Sequence, residues 1–216
     1  MRIALMGMAG SGKSFWSEKL EKAGFIRFCC DELIAERLSS EMKDAGYEEG
    51  NVAGWMGFPY DPGYKKREAH YMECEREVME EIIGLISGTE LHSDQDVVID
   101  TTGSFIYIDD GLLQEVRKRV RLVLISTPDD VQESLLQAYI NHPHPMVWRD
   151  FFQQRPGESH KEALARCYPK LFKSRRMLYE KYAHFSIDYY ALRAQGFTVN
   201  DLIARIRRLE ELWGSR

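Results

Sequence analysis

The sequence predicts an α/β protein in which a parallel sheet of five strands lies between two layers of helices. Short apolar runs with strand composition recur along the chain, at residues 2–6, 25–28, 97–100, 121–126 and 185–188. Helical patterns separate these runs, and such alternation is typical of a parallel sheet covered on both faces. Polar residues follow the strands, which places them at one sheet edge: residues 7–14, Asp31, residues 100–104 and Thr127.

Helices are predicted where apolar residues repeat at helical spacing, at 13–23, 32–43, 65–87, 109–118, from about 128, at 160–183 and near the C-terminus. Two segments interrupt the pattern. Residues 45–64 are rich in Gly, Pro and aromatics, and are either a substrate flap or a surface loop anchored by its own aromatic side chains. Residues 142–159 contain three prolines and are interpreted as a mobile lid. We expect one domain over 1–216.

Composition excludes several classes of protein. The 216 residues suffice for one sizeable core, and 44% hydrophobic with 29% charged residues is ordinary for a globular protein. A net charge of −5 gives no sign of nucleic-acid or membrane partners. No apolar run reaches the ~20 residues that cross a bilayer, and the first strand is too short for a signal peptide. We therefore expect a cytoplasmic protein whose four cysteines stay reduced.

The strongest motif is a phosphate-binding loop. Residues 7–14 read GMAGSGKS, a full match to G-x-x-x-x-G-K-[ST] between a strand and a helix. The glycines let backbone amides point inward, Lys13 reaches the β/γ-phosphates, and the Ser14 hydroxyl can ligate Mg²⁺. The alternative is a plain glycine-rich turn. The motif predicts a P-loop NTPase fold whose nucleotide-binding residues are Gly7, Gly10, Ser11, Gly12, Lys13, Ser14 and Phe15.

Two aspartates are candidates for roles in phosphoryl transfer. Asp100 ends the apolar run Val97–Ile99 as a Walker B carboxylate does, and it either helps to hold Mg²⁺ or merely caps the strand. Asp31 follows the second strand, where it either orients an acceptor hydroxyl and takes its proton or serves as a helix N-cap.

Arginines cluster in and after the predicted lid. A lid carrying arginines can close over a triphosphate and neutralise the transition state, whereas the alternative is a solvated basic face. The candidates are Arg149, Arg155, Arg166, Arg175 and Arg176.

Taken together, these segments resemble the adenylate kinase-like P-loop kinases, and within them the shikimate kinase group. Residues 31–36 resemble the D-x-x-I-E stretch, residues 100–104 occupy the place of the glycine-rich substrate segment, residues 155–156 resemble the R-P pair of the lid, and residues 175–183 resemble R-x-x-L-Y-x-x-x-A. The resemblance implies ATP and Mg²⁺ as cofactors. It also implies a base-like Asp31, a lid Arg155, and a substrate site containing Asp31, Thr102, Gly103 and Arg175.

The sequence departs from that pattern at the substrate. The first aspartate of the family's D-x-D is Cys29 here, the arginine of its F-R-x-x-E is Met72, and its triple glycine is Thr102-Gly103-Ser104. A bidentate arginine is hard to replace where a carboxylate must be held. We therefore expect an acceptor other than shikimate.

The expected activity is ATP-dependent phosphorylation of a hydroxyl on a small metabolite, with Lys13, Asp31, Arg155 and Arg175 as catalytic residues. One alternative is a nucleoside or nucleotide kinase in which Trp55 and Phe58 stack on a base. Another is a nucleotide-dependent switch or binding protein with little transfer activity, because a site rather than a fold carries function.

Overall fold

All five predicted strands form one parallel sheet. In the computed structural model the described residues are 1–89, 91–92, 94–142 and 144–214, without the side chains of 213 and 214, so that Pro143 of the predicted lid lies outside them. The strands are β1 (Arg2–Met6), β2 (Ile26–Cys29), β3 (Val97–Asp100), β4 (Arg121–Ser126) and β5 (Phe185–Asp188). Their order across the sheet is β2-β3-β1-β4-β5, with every neighbouring pair parallel.

The described part of the chain contains eight α-helices. They are α1 (Lys13–Lys22), α2 (Cys30–Asp44), α3 (Val52–Met56), α4 (Tyr64–Ser87), α5 (Asp110–Arg119), α6 (Gln132–Asn141), α7 (His160–Tyr182) and α8 (Val199–Gly214). None of the helices in these residues has the length and apolar character needed to span a membrane.

Two apolar clusters, one on each face of the sheet, hold the three layers together. Alternate residues of β1 belong to different clusters: Ile3 and Leu5 pack with Trp16 and Leu20 of α1, whereas Ala4 packs on the other side. The smaller cluster also contains apolar residues of α8, and the larger one is built from α2, α4, α5, α6 and α7. The three-layer α/β/α prediction is confirmed.

The carboxyl ends of the strands place the predicted polar residues at one edge. In the parallel registers, Asp100 lies opposite both Leu5 of β1 and Cys29 of β2. The phosphate loop follows β1, and Asp31 is the second residue of α2. Segments that are distant in sequence therefore meet beside the loop, as expected for a sheet of this type.

The N-cap alternative for Asp31 is wrong. Helix α2 begins at Cys30, two residues earlier than predicted, and its N-cap is Cys29, which has an extended backbone and makes no side-chain cap. Asp31 thus lies inside the first turn, near the positive end of the helix. Its carboxylate faces the pocket and does not cap the helix.

The flap, residues 45–64, is held by a capped short helix and by aromatic contacts. It contains α3, whose first turn is capped by the Asn51 side chain accepting from Gly54 N at 2.9 Å. Trp55 is buried, and the Phe58 and Tyr60 rings stack 5.2 Å apart. The Tyr60 ring also stacks on His160 at the start of α7, at 3.8 Å. These aromatics anchor the flap against the lid side of the molecule.

Candidate active site

The phosphate loop has a backbone that only glycine accommodates. Gly7 has φ +148°, and a Cβ there would lie 2.9 Å from the carbonyl oxygen of Ile125 on β4. Gly12, at φ +106°, forms the N-cap of α1. Because both conformations are strained for L-residues, the loop can curl tightly against the sheet only with glycine at these positions. The curl leaves the start of α1 facing the pocket.

Lys13 is buried beneath this loop. Its Nζ donates to the carbonyl oxygens of Gly7, at 3.0 Å, and Met8, at 3.2 Å. Burial lowers the pKa of Lys13, while the charges of Asp100 and Asp31 oppose that shift. The ammonium group is therefore held on the inner side of the loop, within the field of both aspartates.

Asp100 is connected to α1 and β2 through one of its oxygens. Ser17 donates to Asp100 Oδ2 at 3.0 Å and accepts from Arg27 Nε at 3.0 Å, and an Nη atom of Arg27 lies 3.8 Å from the same oxygen. Asp100 is 2% exposed, and its Oδ1 has no hydrogen-bond partner among the described residues. A buried carboxylate oxygen without a partner suits a hydrated cation.

The pairing of β2 with β3 places Asp100 next to Cys29. Cys29 occupies the strand-end position at which the resembled family has an aspartate, and Asp100 lies directly beside it on the neighbouring strand. Burial is the main reason that the Cys29 thiol has a pKa raised to about 12. Thiolates are soft ligands, whereas Mg²⁺ is bound by oxygen. The structure thus offers Ser14 and Asp100 as the residues that could hold Mg²⁺.

Asp31 faces the pocket and accepts a hydrogen bond from α4. Tyr71 donates its hydroxyl to Asp31 Oδ1 at 3.3 Å. Although solvent reaches the carboxylate through the pocket, the surrounding protein desolvates it and raises its pKa; the charge of Asp100 adds to this shift and Lys13 opposes it. A carboxylate with a raised pKa in a cleft is suited to accept a proton.

One cavity of about 620 Å³ joins the predicted parts. Its lining comes from the phosphate loop, α2, the flap, α4, the substrate segment and the lid: Ala9, Gly10, Lys13, Ser14, Asp31, Ala35, Gly50, Asn51, Val52, Ala53, Tyr71, Gly103, His144 and Pro145. Lys13, Ser14, Asp31 and Gly103 are therefore brought together. Phe15 is not part of this lining, and its ring is 56% exposed on the first turn of α1.

The substrate segment at residues 102–104 is fastened to α4 by a buried carboxylate. Thr102 and Ser104 donate their hydroxyls to Glu75 Oε1, and the Tyr179 hydroxyl donates to Gly103 O at 2.6 Å. Burial raises the pKa of Glu75 to about 7, although the hydrogen bonds from the two hydroxyls lower it. The hydroxyls that replace glycines thus have a structural partner in this chain.

The five candidate arginines are placed very differently. Arg166 pairs with Glu158, with Nε and Oε1 2.7 Å apart, and Arg176 pairs with Asp129. Arg155 is exposed and does not line the cavity. Arg175 is 1% exposed, and its Nη1 would be 3.2 Å from a Cβ on Gly103. Arg149 lies beside α4, with its Nη1 3.6 Å from Met72 Sδ.

The middle of the predicted lid contacts α4. Met146, Val147 and Trp148 are buried, and the backbone amides of Trp148 and Arg149 donate to Glu68 Oε1 at 2.6 and 2.8 Å. These bonds fix the middle of the segment on α4.

Sequence reasoning missed several residues that shape the site: Ser17, Arg27, Glu68, Tyr71, Glu75 and Arg193. Three of them, Glu68, Tyr71 and Glu75, lie three or four residues apart on α4, so they share one face of the helix. Polar residues at this spacing within an apolar stripe were the available signal. Arg193 had none: it follows β5, yet its Nη2 donates to Ser11 O of the phosphate loop at 3.1 Å.

The fold is that of the shikimate kinase-like P-loop kinases. The chain is similar to the shikimate kinase of Acinetobacter baumannii in complex with shikimate, at 21% identity and TM-score 0.58 over 96% of this chain and 90% of that chain. It is also similar to the shikimate kinases of Bacteroides thetaiotaomicron and Aquifex aeolicus, at 20% identity each, with TM-scores of 0.57 and 0.56. These two matches cover 98% of this chain, and 98% and 96% of the other chains. No family model matches the sequence, and no curated protein matches it.

Proposed function

We propose that this protein transfers the γ-phosphoryl group of ATP, with Mg²⁺, to a hydroxyl of a small molecule. The observation that carries the proposal is that Lys13 and Asp31 line one cavity. Transfer requires the phosphates and the acceptor hydroxyl to meet in line, and a shared cavity provides for that. Its volume of about 620 Å³ is in the range of small-ligand sites.

Different groups in and beside the loop would bind different parts of the nucleotide and its metal ion. Backbone amides of residues 7–14 and the positive end of α1 would bind the phosphates, and Lys13 would offset charge on the β- and γ-phosphates. Ser14 and Asp100 would hold Mg²⁺, directly or through water, and the unpartnered Oδ1 of Asp100 fits that role. The bound ion supplies charge neutralisation for the phosphates.

Asp31 would act on the acceptor. Its carboxylate is open to the cavity, and the Tyr71 hydrogen bond fixes its orientation. It would accept the hydroxyl proton as the oxygen attacks. Gly103 would allow the acceptor to approach the substrate segment closely. Arg175, which is buried behind Gly103 and does not itself line the cavity, would place a positive charge beside that segment. No role is proposed for Arg155 in this conformation, because it lies outside the cavity.

The nucleoside or nucleotide kinase alternative loses the feature that favoured it. Trp55 is 2% exposed and Phe58 is stacked on Tyr60, so neither ring is free to stack on a base. A nucleotide-dependent switch differs from a kinase in what an assay would show. Tight ATP binding with no turnover of any acceptor would favour the switch.

The test is product formation followed by ³¹P NMR with Mg²⁺, ATP and a panel of hydroxylated metabolites. We expect one group of acceptors to be phosphorylated, and Asp31→Asn to lower kcat on the best acceptor by about 10²–10⁴-fold. Equal turnover by the wild type and Asp31→Asn would show that Asp31 is not the base.

A further inference from the structure

Arg27 is a largely buried cation beside the carboxylate of Asp100, and the proposed mechanism gives it no role. Its side chain is 10% exposed, and one of its Nη atoms lies 3.8 Å from Asp100 Oδ2. Its Nε donates to Ser17 Oγ at 3.0 Å, and the buried Ser17 donates to the same Asp100 oxygen at 3.0 Å. Arg27 is therefore linked to Asp100 both by its charge and through a hydroxyl group.

The geometry of β2 places Arg27 on the α1 side of the sheet. Arg27 and Cys29 are two residues apart on this strand, so their side chains point to the same face. Their partners in register on β3 are Val98 and Asp100, and Val98 belongs to the apolar cluster that packs against α1. Where the resembled family has an aspartate, this strand has a thiol at position 29 and an arginine two residues before it.

The charge of Arg27 is only weakly offset by its other partner. Both Nη atoms donate to Glu32 Oε1 at 3.2 Å, but the Glu32 side chain is 69% exposed, so water and salt screen that ion pair. The Asp100 side chain is 2% exposed, and buried charges are screened much less. The positive charge of Arg27 therefore acts mainly on Asp100.

This arrangement has two effects on a cation at Asp100. Because Oδ2 is bonded to Ser17, Oδ1 is the oxygen left without a partner in the described chain, and the carboxylate is fixed in that orientation. The positive charge of Arg27 also opposes a second cation beside the same carboxylate. Lys13 and Asp31 interact with Asp100 and with each other, so two cations and two carboxylates already balance around this position.

We propose that Arg27 is a positioning residue for Asp100, and that its charge keeps the binding of a divalent cation weak until the phosphates of a nucleotide contribute negative charge. The cation would then enter together with the nucleotide and not before it. This inference rests on the proposed function, because it concerns the residues that would hold Mg²⁺ beside the phosphate loop.

The test is Mn²⁺ binding, followed through the EPR signal of the free ion, since Mn²⁺ shares the preference of Mg²⁺ for oxygen ligands. Each protein is titrated with Mn²⁺ with and without bound ADP, and we expect wild type to bind Mn²⁺ at least about tenfold more tightly with ADP. Arg27→Gln removes the charge and keeps a donor for Ser17. Without ADP, we expect it to bind Mn²⁺ about tenfold or more tightly than wild type. Structural damage would weaken Mn²⁺ binding, so a gain of affinity reports the charge.

Three further variants complete the test. Arg27→Lys keeps the charge and should stay close to wild type, whereas Arg27→Met is uncharged and should tighten Mn²⁺ binding as Arg27→Gln does. Arg37→Gln removes an arginine that pairs with Glu77 and Glu81 on α4, and should leave Mn²⁺ affinity unchanged. Equal or weaker Mn²⁺ binding in both uncharged variants of Arg27 would overturn the proposal. Failure of wild type to bind ADP with Mn²⁺ would instead contradict the proposed function.

Discussion

The protonation state of Asp31 gives the site a predictable pH dependence. Its pKa is raised, chiefly by desolvation, and a base must be ionised to accept a proton. We therefore expect kcat/KM for the acceptor to fall as pH decreases through a value above the ordinary aspartate pKa. A pH–rate profile from pH 4 to 9 measures this, and a flat profile over the acid range would contradict the assignment.

Glu75 should make the free energy of unfolding decrease as pH rises, whereas a carboxylate in an ion pair makes it increase. Its pKa is raised to about 7 in the folded protein, against an ordinary glutamate pKa of 4.5. Between these values the folded state binds more protons than the unfolded state, so stability decreases as pH rises. Glu75→Gln keeps an acceptor for Thr102 and Ser104 but cannot ionise. We expect its stability advantage over wild type to grow from pH 5 to pH 8 in urea unfolding, and a constant difference would refute this.

At the scale of elements, α4 organises the acceptor side of the site. One face of the helix carries Glu68, Tyr71 and Glu75, which hold the lid, Asp31 and the substrate segment respectively. The helix contributes no catalytic group of its own. Its contribution is to fix three separate segments relative to one another, which is the condition for near-attack geometry.

Removing the Glu68 carboxylate tests this role. Glu68→Ala leaves the buried amide of Trp148 and the amide of Arg149 without their acceptor, at a cost of about 1–3 kcal/mol for a buried group. We expect lower stability in urea unfolding and a raised KM for the acceptor. Glu73→Ala, on the exposed face of the same helix, is the matched control and should change neither. An unchanged KM in Glu68→Ala would separate the lid from acceptor binding.

The elements themselves were largely predictable because their signals are local. The boundaries of β3, β4 and β5 agree with the apolar runs, and the phosphate loop was evident from its glycines and Lys13. The start of α2 was not, because Cys29 takes the N-cap position without a capping side chain. The placement of the lid arginines was equally hidden, because it depends on contacts between distant residues such as Arg149 and Glu68, 81 positions apart.

At the scale of the whole molecule, the sheet order explains how the chain assembles the site. With β1 central and β3 and β4 beside it, the loop after β1 lies between the polar ends of its neighbours. Asp100 lies beside Cys29 at that edge, because β2 and β3 are in register. The sequence already indicated Asp100 as a candidate for Mg²⁺, and the sheet order brings it next to the phosphate loop.

The central claim is that the phosphate loop binds Mg²⁺ and ATP, and calorimetry of the wild type and Lys13→Ala tests it most directly. A lysine lost from a phosphate site removes charge-assisted hydrogen bonds of roughly 1.5–3 kcal/mol, or about a tenfold or greater loss of affinity. We predict saturable one-site binding of Mg²⁺–ATP to the wild type and a binding constant weakened by at least about tenfold in Lys13→Ala. No heat of binding to the wild type, or identical isotherms for the two proteins, would contradict the account.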